Sequence, residues 1–197
     1  MRNTINSNII LASSSVHRKN LLKKYISDFK CIVPSANEEP FENECGKDLC
    51  IRLARTKAKI VSEVNPTGIV IGSDQVATYN EKNLGKPYTY ESAFNTIKEF
   101  SGESVFFNTG VTILCKNRDI DLSYIDTTII EFKNFTTDDL YEYLNDQKDF
   151  KTTAGVKTES KLFQKMIKNM ISNDAEAIIG LPIKWTISQL NDILSNI

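Results

Sequence analysis

The stretch that most constrains the fold is Leu11-Ala12-Ser13-Ser14-Ser15-Val16-His17-Arg18. Its apolar residues stop at three serines, and a helical pattern led by Leu21 and Leu22 follows. This order predicts a buried strand over residues 9–13, a polar turn, and a helix over residues 18–26. Backbone N–H groups at a helix N-terminus, with hydroxyls and a guanidinium nearby, form a favourable site for phosphate, although serines at a helix start more often serve only as caps.

A second decisive stretch is Ile71-Gly72-Ser73-Asp74-Gln75-Val76, which follows the apolar pair Ile69 and Val70. It predicts another buried strand, over residues 68–73, that ends on small residues and presents the carboxylate of Asp74. An Asp after a strand is more often a turn residue than a catalyst. Together with the serine turn, however, a phosphate site and a carboxylate at two strand ends favour metal-assisted chemistry on a phosphate ester.

The composition is that of an ordinary globular protein and argues against several classes of partner. With 197 residues, of which 41% are hydrophobic and 25% charged, the chain can form one domain or two small lobes around a cleft. Lys plus Arg (24) nearly balance Asp plus Glu (25), so we expect no nucleic-acid partner. No apolar stretch reaches membrane-spanning length and no signal-peptide core is found, so we expect no membrane partner and a cytoplasmic location.

The four cysteines are Cys31, Cys45, Cys50 and Cys115, and none of them forms a Cys-x-x-Cys pair. The one histidine of the chain, His17, is distant from them in sequence. This spacing favours free thiols over a zinc site or a disulfide framework.

The rest of the chain alternates between strand-like and helix-like patterns. Leu49, Leu53, Ile60 and Val64 recur at helical spacing and predict a helix over residues 47–64. The other predicted elements, in chain order, are a strand over 29–33, a polar loop over 35–40, a loop over 80–87, a helix from Thr89 to Phe100, paired strands over 103–116 and 122–133, a helix from Thr136 or Thr137 to Leu144, and helices near 160–171 and 183–195. Such alternation followed by a long hairpin indicates an α/β fold with a mixed sheet.

Two carboxylates, Asp74 and Glu38, follow neighbouring predicted strands. Such a pair at strand ends can share a hard cation such as Mg²⁺ or Mn²⁺, and the plainer interpretation is two solvated acids. Lys57 lies beside the apolar stripe of its helix, and two interpretations of it stay open. Its side chain either snorkels to solvent or reaches into a cleft as a phosphate ligand.

For three further charged residues a plain role and a functional role are both open. Lys86 lies between Gly85 and Pro87, where a fixed turn can present its ammonium, although an ordinary loop lysine is the commoner case. Arg18 falls in the first turn of its helix, where the helix dipole disfavours a cation, and this placement hints at an anionic ligand. Glu159 precedes a predicted helix and is either a partner of that helix dipole or a carboxylate that lines a base pocket.

Together these residues resemble the Maf family of nucleoside triphosphate pyrophosphatases over nearly the whole chain. The opening LASSSVHRKNLL (residues 11–22) is similar to the family's LAS-x-SPRR-x-LL signature. Six more segments follow in family order: RLARTKA (52–58), IGSDQV (71–76), LGKP (84–87), SGESVFFNTGVTI (101–113), TAG (153–155) and IIGLP (178–182). Any one of them is a weak signal, and seven in register are a strong one.

The resemblance implies a single Maf-like domain over residues 1–197. Its α/β fold would be the elongated Maf/Ham1-like one, a mixed sheet with helices on both faces and two lobes around an active-site cleft. The resemblance also implies a homodimer and cleavage of a nucleoside triphosphate to the monophosphate and pyrophosphate with a divalent metal, Mg²⁺ or Mn²⁺. Asp74 matches the family's catalytic aspartate and, with Glu38, its metal-linked carboxylates. The family's phosphate-contacting positions correspond to Ser13, Arg18, Lys57 and Lys86.

Two details of the resemblance concern the substrate. Gly-Ser-Asp-Gln at residues 72–75, in place of Gly-Ala-Asp-Thr, and Glu159 within KTES are similar to the branch that acts on 7-methyl-GTP. A carboxylate can accept hydrogen bonds from guanine N1–H and the 2-amino group together, so Glu159, with Gln75 beside it, is predicted to set base choice. Val16 and His17 depart from the family signature, and His17 is a candidate for stacking on a base. The alternatives are the same chemistry on dTTP or UTP, and a nucleotide-binding regulator of cell division with little turnover.

Overall fold

The computed structural model describes residues 8–195. Its helices are α1 (Val16–Lys23), α2 (Gly46–Val64), α3 (Tyr90–Lys98), α4 (Thr137–Asn145), α5 (Lys161–Met166) and α6 (Ile183–Ser195). Its strands are β1 (Ile9–Ala12), β2 (Lys30–Ile32), β3 (Ile69–Tyr79), β4 (Lys82–Leu84), β5 (Ser104–Cys115), β6 (Ile120–Phe132) and β7 (Ile167–Ile171). Within this described part of the chain, no helix is both long and apolar enough to span a bilayer.

The strands of the described region form one mixed sheet in the order β2-β1-β3-β5-β6-β7, with β4 paired to β3. β1 runs parallel to β2 and β3, whereas β3–β4, β3–β5, β5–β6 and β6–β7 are antiparallel pairs. The long hairpin of β5 and β6, which corresponds to the two strands predicted to pair, turns at Lys116–Arg118. The predicted α/β class with a mixed sheet is therefore confirmed.

Alternate residues of β3 face opposite sides of the sheet, and helices cover both sides. On one side lies α2, and a Cβ atom on Gly72 would stand 2.2 Å from the carbonyl oxygen of Ala54 in that helix. Only glycine at this position allows α2 to approach the sheet so closely. On the other side, Ile71 packs with residues of α1 and α6, and Ala77 packs with residues of α3, α4 and α5. Helices on both faces, as predicted, are confirmed.

The side of the sheet opposite α2 has two separate buried clusters, one toward each end of β3 and β5. The first contains buried isoleucine and leucine side chains of β1, α1 and α6. The second is rich in aromatic side chains, among them Phe100, Phe107, Phe132, Tyr143 and Phe163. Polar side chains of Ser73 and Thr109 occupy the same side of the strands between the two clusters, and both are fully buried. This polar gap in an otherwise apolar layer lies next to the candidate site.

β3 is longer than predicted, because it does not stop at Ser73. It continues to Tyr79, and β5 pairs with it as far as Thr78. The β-branched residues beyond Ser73 suit an extended chain, and pairing with a long neighbouring strand stabilises them there. The prediction that Asp74 follows a strand is therefore wrong, since Asp74 lies in the middle of β3.

Two other element predictions are corrected by the structure. The segment over residues 80–87 is not wholly a loop, because a tight turn at Asn80 and Glu81, both at positive φ, leads into β4. The helix predicted near 160–171 ends at Met166, and its second half is instead the edge strand β7, which pairs with β6. An apolar run as short as Ile167–Ile171 suits a helix or a strand equally, and the contact with β6 decides between them.

Candidate active site

A cleft of about 900 Å³ lies where one edge of β3 has no neighbouring strand. β1 pairs with β3 over Ile69–Gly72, and β4 pairs with it over Ala77–Tyr79. The gap between these two partners leaves residues 73–76 at an open edge, and residues 74–76 line the cleft. Strand pairing that stops on both sides of this short stretch therefore creates the space for a ligand.

Lys57 joins the two predicted metal-binding carboxylates in this cleft. Its Nζ atom lies 2.5 Å from Oδ1 of Asp74 and 2.6 Å from Oε1 of Glu38. The Lys57 side chain is only 8% exposed, so it does not snorkel to solvent but ends between the carboxylates. α2, β3 and the loop after β2 thus bring together three residues that are distant in sequence.

Neighbouring cations keep Glu38 ionised, although its side chain is the most exposed of the three at 54%. Burial alone would raise the pKa of Glu38, but the hydrogen bond from Lys57 and the charges of Lys57, Lys86 and Arg18 outweigh burial and lower that pKa below its usual value. The cleft therefore holds a carboxylate whose negative charge persists into acidic solution.

The serine turn after β1 and the start of α1 position Arg18. Ser13 Oγ accepts a hydrogen bond from the backbone N–H of Ser15 at 3.1 Å, and Ser15 Oγ accepts one from the backbone N–H of Arg18 at 3.3 Å, so Ser15 is the N-cap. Arg18 Nε donates to the carbonyl oxygen of Gly180 at 2.7 Å. Burial lowers the pKa of Arg18, and the charges of Asp74 and Glu38 partly offset this effect, so the guanidinium is a partly desolvated cation facing two anions.

Lys86 reaches the cleft from the loop after β4. Its side chain is exposed and lines the cleft, and its charge is one of those that lower the pKa of Glu38. The neighbouring Gly85 carbonyl accepts a hydrogen bond from the backbone N–H of Ala154 at 2.8 Å, which ties this loop to the TAG segment. The structure thus places Ser13, Arg18, Lys57 and Lys86 in one cleft, although their roles toward phosphate stay predictions.

Two of the three residues predicted to read or stack on the base, His17 and Glu159, also meet in the cleft. Nδ1 of His17 lies 3.8 Å from Oε1 of Glu159, although the two residues are far apart in sequence. The His17 side chain is 49% exposed and that of Glu159 is 60% exposed. Both can therefore change position to meet a ligand, unlike the buried Lys57.

Gln75 lies in the cleft but is held by the segment before α6. Its Nε2 atom lies 3.0 Å from Thr109 Oγ1, 2.9 Å from the Ile178 carbonyl oxygen and 3.4 Å from the Ala177 carbonyl oxygen. Its predicted role in base choice stays a prediction. The sequence reasoning missed Ser73, Thr109 and Gly180, whose contacts hold this segment. The IIGLP motif contains Gly180, and continuing the strand pattern past Ser73 would have placed Ser73 and Gln75 on one face.

The donor set of Asp74 and Glu38 fits a divalent metal only in a particular way. Within residues 8–195 no cluster of three His, Cys, Asp or Glu side chains could hold an ion by itself. Mg²⁺ is usually held by one or two carboxylates together with substrate phosphates and water. Two carboxylate oxygens that converge on one ammonium fit that pattern, with the triphosphate of a bound nucleotide as the other source of oxygen ligands.

Comparison with known proteins gives a consistent family assignment. A family model described as Maf-like protein matches residues 8–193. The 7-methyl-GTP pyrophosphatase of Hydrogenovibrio crunogenus is 35% identical over 175 residues, which cover 89% of this chain and 87% of that protein. The proteins of the same name from Colwellia psychrerythraea (33% identical, 89% of this chain and 87% of theirs) and Pseudoalteromonas atlantica (34% identical, 92% and 93%) match similarly. The solved structure of the Staphylococcus aureus Ham1 protein aligns at 14% identity over 64% of this chain and 72% of its own, with a TM-score of 0.47.

Proposed function

Since the chain belongs to the Maf family and is a nucleoside triphosphate pyrophosphatase, we propose that its substrate is 7-methyl-GTP. The observation that carries this choice is Glu159, whose carboxylate lies 3.8 Å from His17 and lines the cleft that also contains Lys57 and Asp74. A carboxylate accepts two hydrogen bonds from the N1–H and 2-amino groups of guanine, whereas uracil and thymine present a single N–H on that edge. The positive charge of a 7-methylated guanine further favours a nearby carboxylate.

The cations of the cleft suit the other end of such a substrate. Arg18, Lys57 and Lys86 carry three positive charges, and a nucleoside triphosphate brings several negative charges. Cations fixed before the ligand arrives stabilise charge that moves onto the leaving group without reorganising during the reaction. In our proposal these three side chains bind the triphosphate and stabilise the departing pyrophosphate.

Asp74 is the proposed general base. Its carboxylate accepts a proton from a water molecule as the water oxygen bonds to the α-phosphorus, and the bond from that phosphorus to the bridging oxygen breaks. The products are the nucleoside monophosphate and pyrophosphate. Lys57 holds the Asp74 carboxylate at 2.5 Å, which fixes its orientation toward the cleft. When bound, a divalent metal held by Asp74 and Glu38 would supply charge neutralisation and a more acidic water.

The test is pyrophosphate release from a panel of nucleotides with Mg²⁺ and with Mn²⁺. We expect 7-methyl-GTP to give the highest kcat/KM, ahead of GTP, dTTP and UTP, and we expect no turnover without a divalent metal. A preference for dTTP or UTP would place the chain with the pyrimidine branch and contradict the substrate proposed here. Binding of nucleotides with no pyrophosphate release would instead favour a regulator.

We also propose a cytoplasmic role in nucleotide housekeeping. Removal of a methylated guanine nucleotide would keep it out of new nucleic acid. In this proposal the enzyme cleans the cytoplasmic nucleotide pool. Cells that lack the protein are then expected to accumulate 7-methyl-GTP, which mass spectrometry of a nucleotide extract measures.

A further inference from the structure

The segment Gly72-Ser73-Asp74-Gln75 divides its side chains between the two faces of β3. Asp74 points to the side of α2, where it meets Lys57. Ser73 and Gln75 point to the opposite side, since successive residues of a strand alternate. On that side both contact the segment Ala177–Gly180, which leads into α6. Ser73 and Gln75, on either side of the proposed base Asp74, therefore both hold the segment before α6, and Asp74 does not.

Three side chains of the sheet hold the segment Ala177–Gly180 through its carbonyl groups. Ser73 Oγ lies 2.8 Å from the Gly180 oxygen, and Gln75 Nε2 lies 2.9 Å from the Ile178 oxygen. Thr109 Oγ1, on β5, lies 3.2 Å from the Ala177 oxygen. Ser73 and Thr109 are both fully buried. Hydrogen bonds away from water fix the position of a backbone segment more firmly than exposed ones do.

The Gly180 carbonyl has two partners, and the second is Arg18. Arg18 Nε donates to this oxygen at 2.7 Å, from the side of the cleft. Gly180 has φ +113°, a conformation that side chains rarely allow, and a Cβ atom there would stand 3.1 Å from Arg18 Nε. Glycine is thus needed both for the turn and for the contact with the guanidinium.

This arrangement leaves the outer nitrogens of Arg18 for a ligand. Within residues 8–195 the Arg18 side chain makes one hydrogen bond, from its Nε atom to the Gly180 carbonyl oxygen. Because Nε is fixed, rotation of the guanidinium is restricted, and its two terminal nitrogens keep one direction. A guanidinium held in this way can form a paired contact with phosphate oxygens, which a freely rotating one forms at a greater entropic cost.

We propose that Ser73 is a positioning residue, which orients Arg18 toward the triphosphate through the carbonyl of Gly180. The proposal rests on the proposed function, because it takes a triphosphate as the ligand of Arg18. The Ser73 hydroxyl also lies 2.7 Å from the Gly110 carbonyl, so its one proton is shared between two acceptors. Loss of the hydroxyl would free the Gly180 carbonyl on one side and let Arg18 move with it.

The first test is Ser73→Ala, with steady-state kinetics on 7-methyl-GTP. We expect KM to rise by about three- to tenfold, the size of one hydrogen bond, while kcat changes by less than about twofold. The matched control is Thr112→Val, which removes a buried hydroxyl whose partner is Ser123, away from the cleft. The control should leave KM unchanged. Equal losses of kcat in both variants, with no change in KM, would overturn the proposal.

A double-mutant cycle shows whether Ser73 acts through Arg18. In an Arg18→Ala background, Ser73→Ala should have no further effect on KM, because the side chain that it orients is gone. Additive effects of the two substitutions would mean that Ser73 acts by another route, and they would refute the positioning role. Thermal unfolding of each variant confirms that the compared proteins are folded.

A third measurement does not depend on catalysis. In protein with ¹⁵N-labelled arginine, the Nε–H signal of Arg18, identified by its absence in Arg18→Lys, should exchange slowly with water because it is hydrogen-bonded. Ser73→Ala should accelerate this exchange by at least about threefold, and Thr112→Val should not. If the wild type hydrolyses no nucleotide but its Arg18 Nε–H exchanges more slowly than that of Ser73→Ala, the orientation of Arg18 by Ser73 stands and the proposed function fails. An unchanged exchange rate in Ser73→Ala would overturn the positioning role whatever the activity.

Discussion

The cluster of Lys57, Asp74 and Glu38 and the pair of His17 and Glu159 line the same cleft but are built differently. In the cluster, Lys57 is 8% exposed and its ammonium lies 2.5 and 2.6 Å from the two carboxylates. In the pair, the closest charged atoms are 3.8 Å apart and both side chains are about half exposed or more. The buried part of the cluster, Lys57 with Asp74, is fixed before a ligand arrives, whereas the pair can adjust to one. Fixed groups suit the chemical step, and adjustable ones suit recognition of a base.

The largest expected effect is that of Asp74→Asn on turnover. The amide keeps the shape of the side chain but neither accepts the proton nor carries the charge that pairs with Lys57. We expect kcat to fall by about 10²–10⁴-fold, the usual contribution of a general base. Pyrophosphate release measures this, and circular dichroism checks the fold. Retention of more than about a tenth of the wild-type rate would show that the cluster does not supply the base.

Glu159→Gln should change substrate choice instead of rate. The substitution removes a charged acceptor for guanine and introduces an amide that both donates and accepts. The ratio of kcat/KM for 7-methyl-GTP over that for UTP should fall roughly 10- to 150-fold. This factor corresponds to a loss of about 1.5–3 kcal/mol, the free energy of a hydrogen bond to a charged group. Glu142→Gln, at an exposed position of α4 whose carboxylate pairs with Lys165, is the control and should leave the ratio unchanged.

Lys57→Met should lower stability in a way that depends on pH. The variant leaves the Asp74 carboxylate, 12% exposed, without its ammonium, and we expect a loss of about 1–3 kcal/mol in the free energy of unfolding at pH 7. Lys57 lowers the pKa of Glu38, so this part of the stability is present above the ordinary Glu38 value of 4.5 and disappears as the pH falls through the lowered value.

The difference between wild type and Lys57→Met should therefore narrow below about pH 4. Urea unfolding at pH 7, 5 and 3.5 measures it. Lys47→Met, at an exposed position of the same helix, is the control and should show a small difference that is constant with pH. A gap that stays constant in the Lys57 variant would mean that the cluster is not held by charge.

The smallest effects are expected at the thiols, which the structure shows to be free. Cys45 is the N-cap of α2 and makes no capping hydrogen bond, so Cys45→Ser should stabilise the protein by about 0.5–1 kcal/mol. A lower melting temperature of Cys45→Ser than of the control Cys31→Ser would contradict the capping argument.

Burial raises the pKa of the Cys50 thiol to about 12, so that thiol is unreactive at neutral pH. Turnover should be unchanged in the variant in which both Cys45 and Cys50 are replaced by serine.

The sequence predicted much of the cluster and less of what holds it. The helical spacing around Lys57 predicted α2 closely, because a long amphipathic helix has a strong period. The contact of Lys57 with Glu38 could not be predicted from local sequence pattern. The loop before α2 has no hydrophobic periodicity, and its position depends on contacts with residues distant in sequence. The pattern at the strand ends joined Asp74 with Glu38, and the resemblance to a family placed Lys57 in the same site.

The polar contacts on the other face of β3 were missed for a physical reason. Small residues around Ser73 favoured a strand end, and the pairing with β5 that extends the strand to Tyr79 joins residues far apart in sequence. Because the predicted strand ends at Ser73, the alternation of side chains along a strand does not extend to Gln75. It therefore does not place Ser73 and Gln75 on one face of the sheet. The edge strand β7 has the same property, because only its pairing with β6 distinguishes it from a helix.

The most direct test of the division between cluster and pair compares two nucleotides in two variants. kcat/KM is measured for 7-methyl-GTP and for UTP in wild type, Asp74→Asn and Glu159→Gln. The structure predicts that Asp74→Asn lowers both values by the same factor and leaves their ratio unchanged, whereas Glu159→Gln lowers the ratio and leaves the UTP value within about threefold of wild type. If Glu159→Gln lowers both values equally, Glu159 belongs to the machinery of the chemical step, and the assignment of base choice to the pair of His17 and Glu159 is wrong.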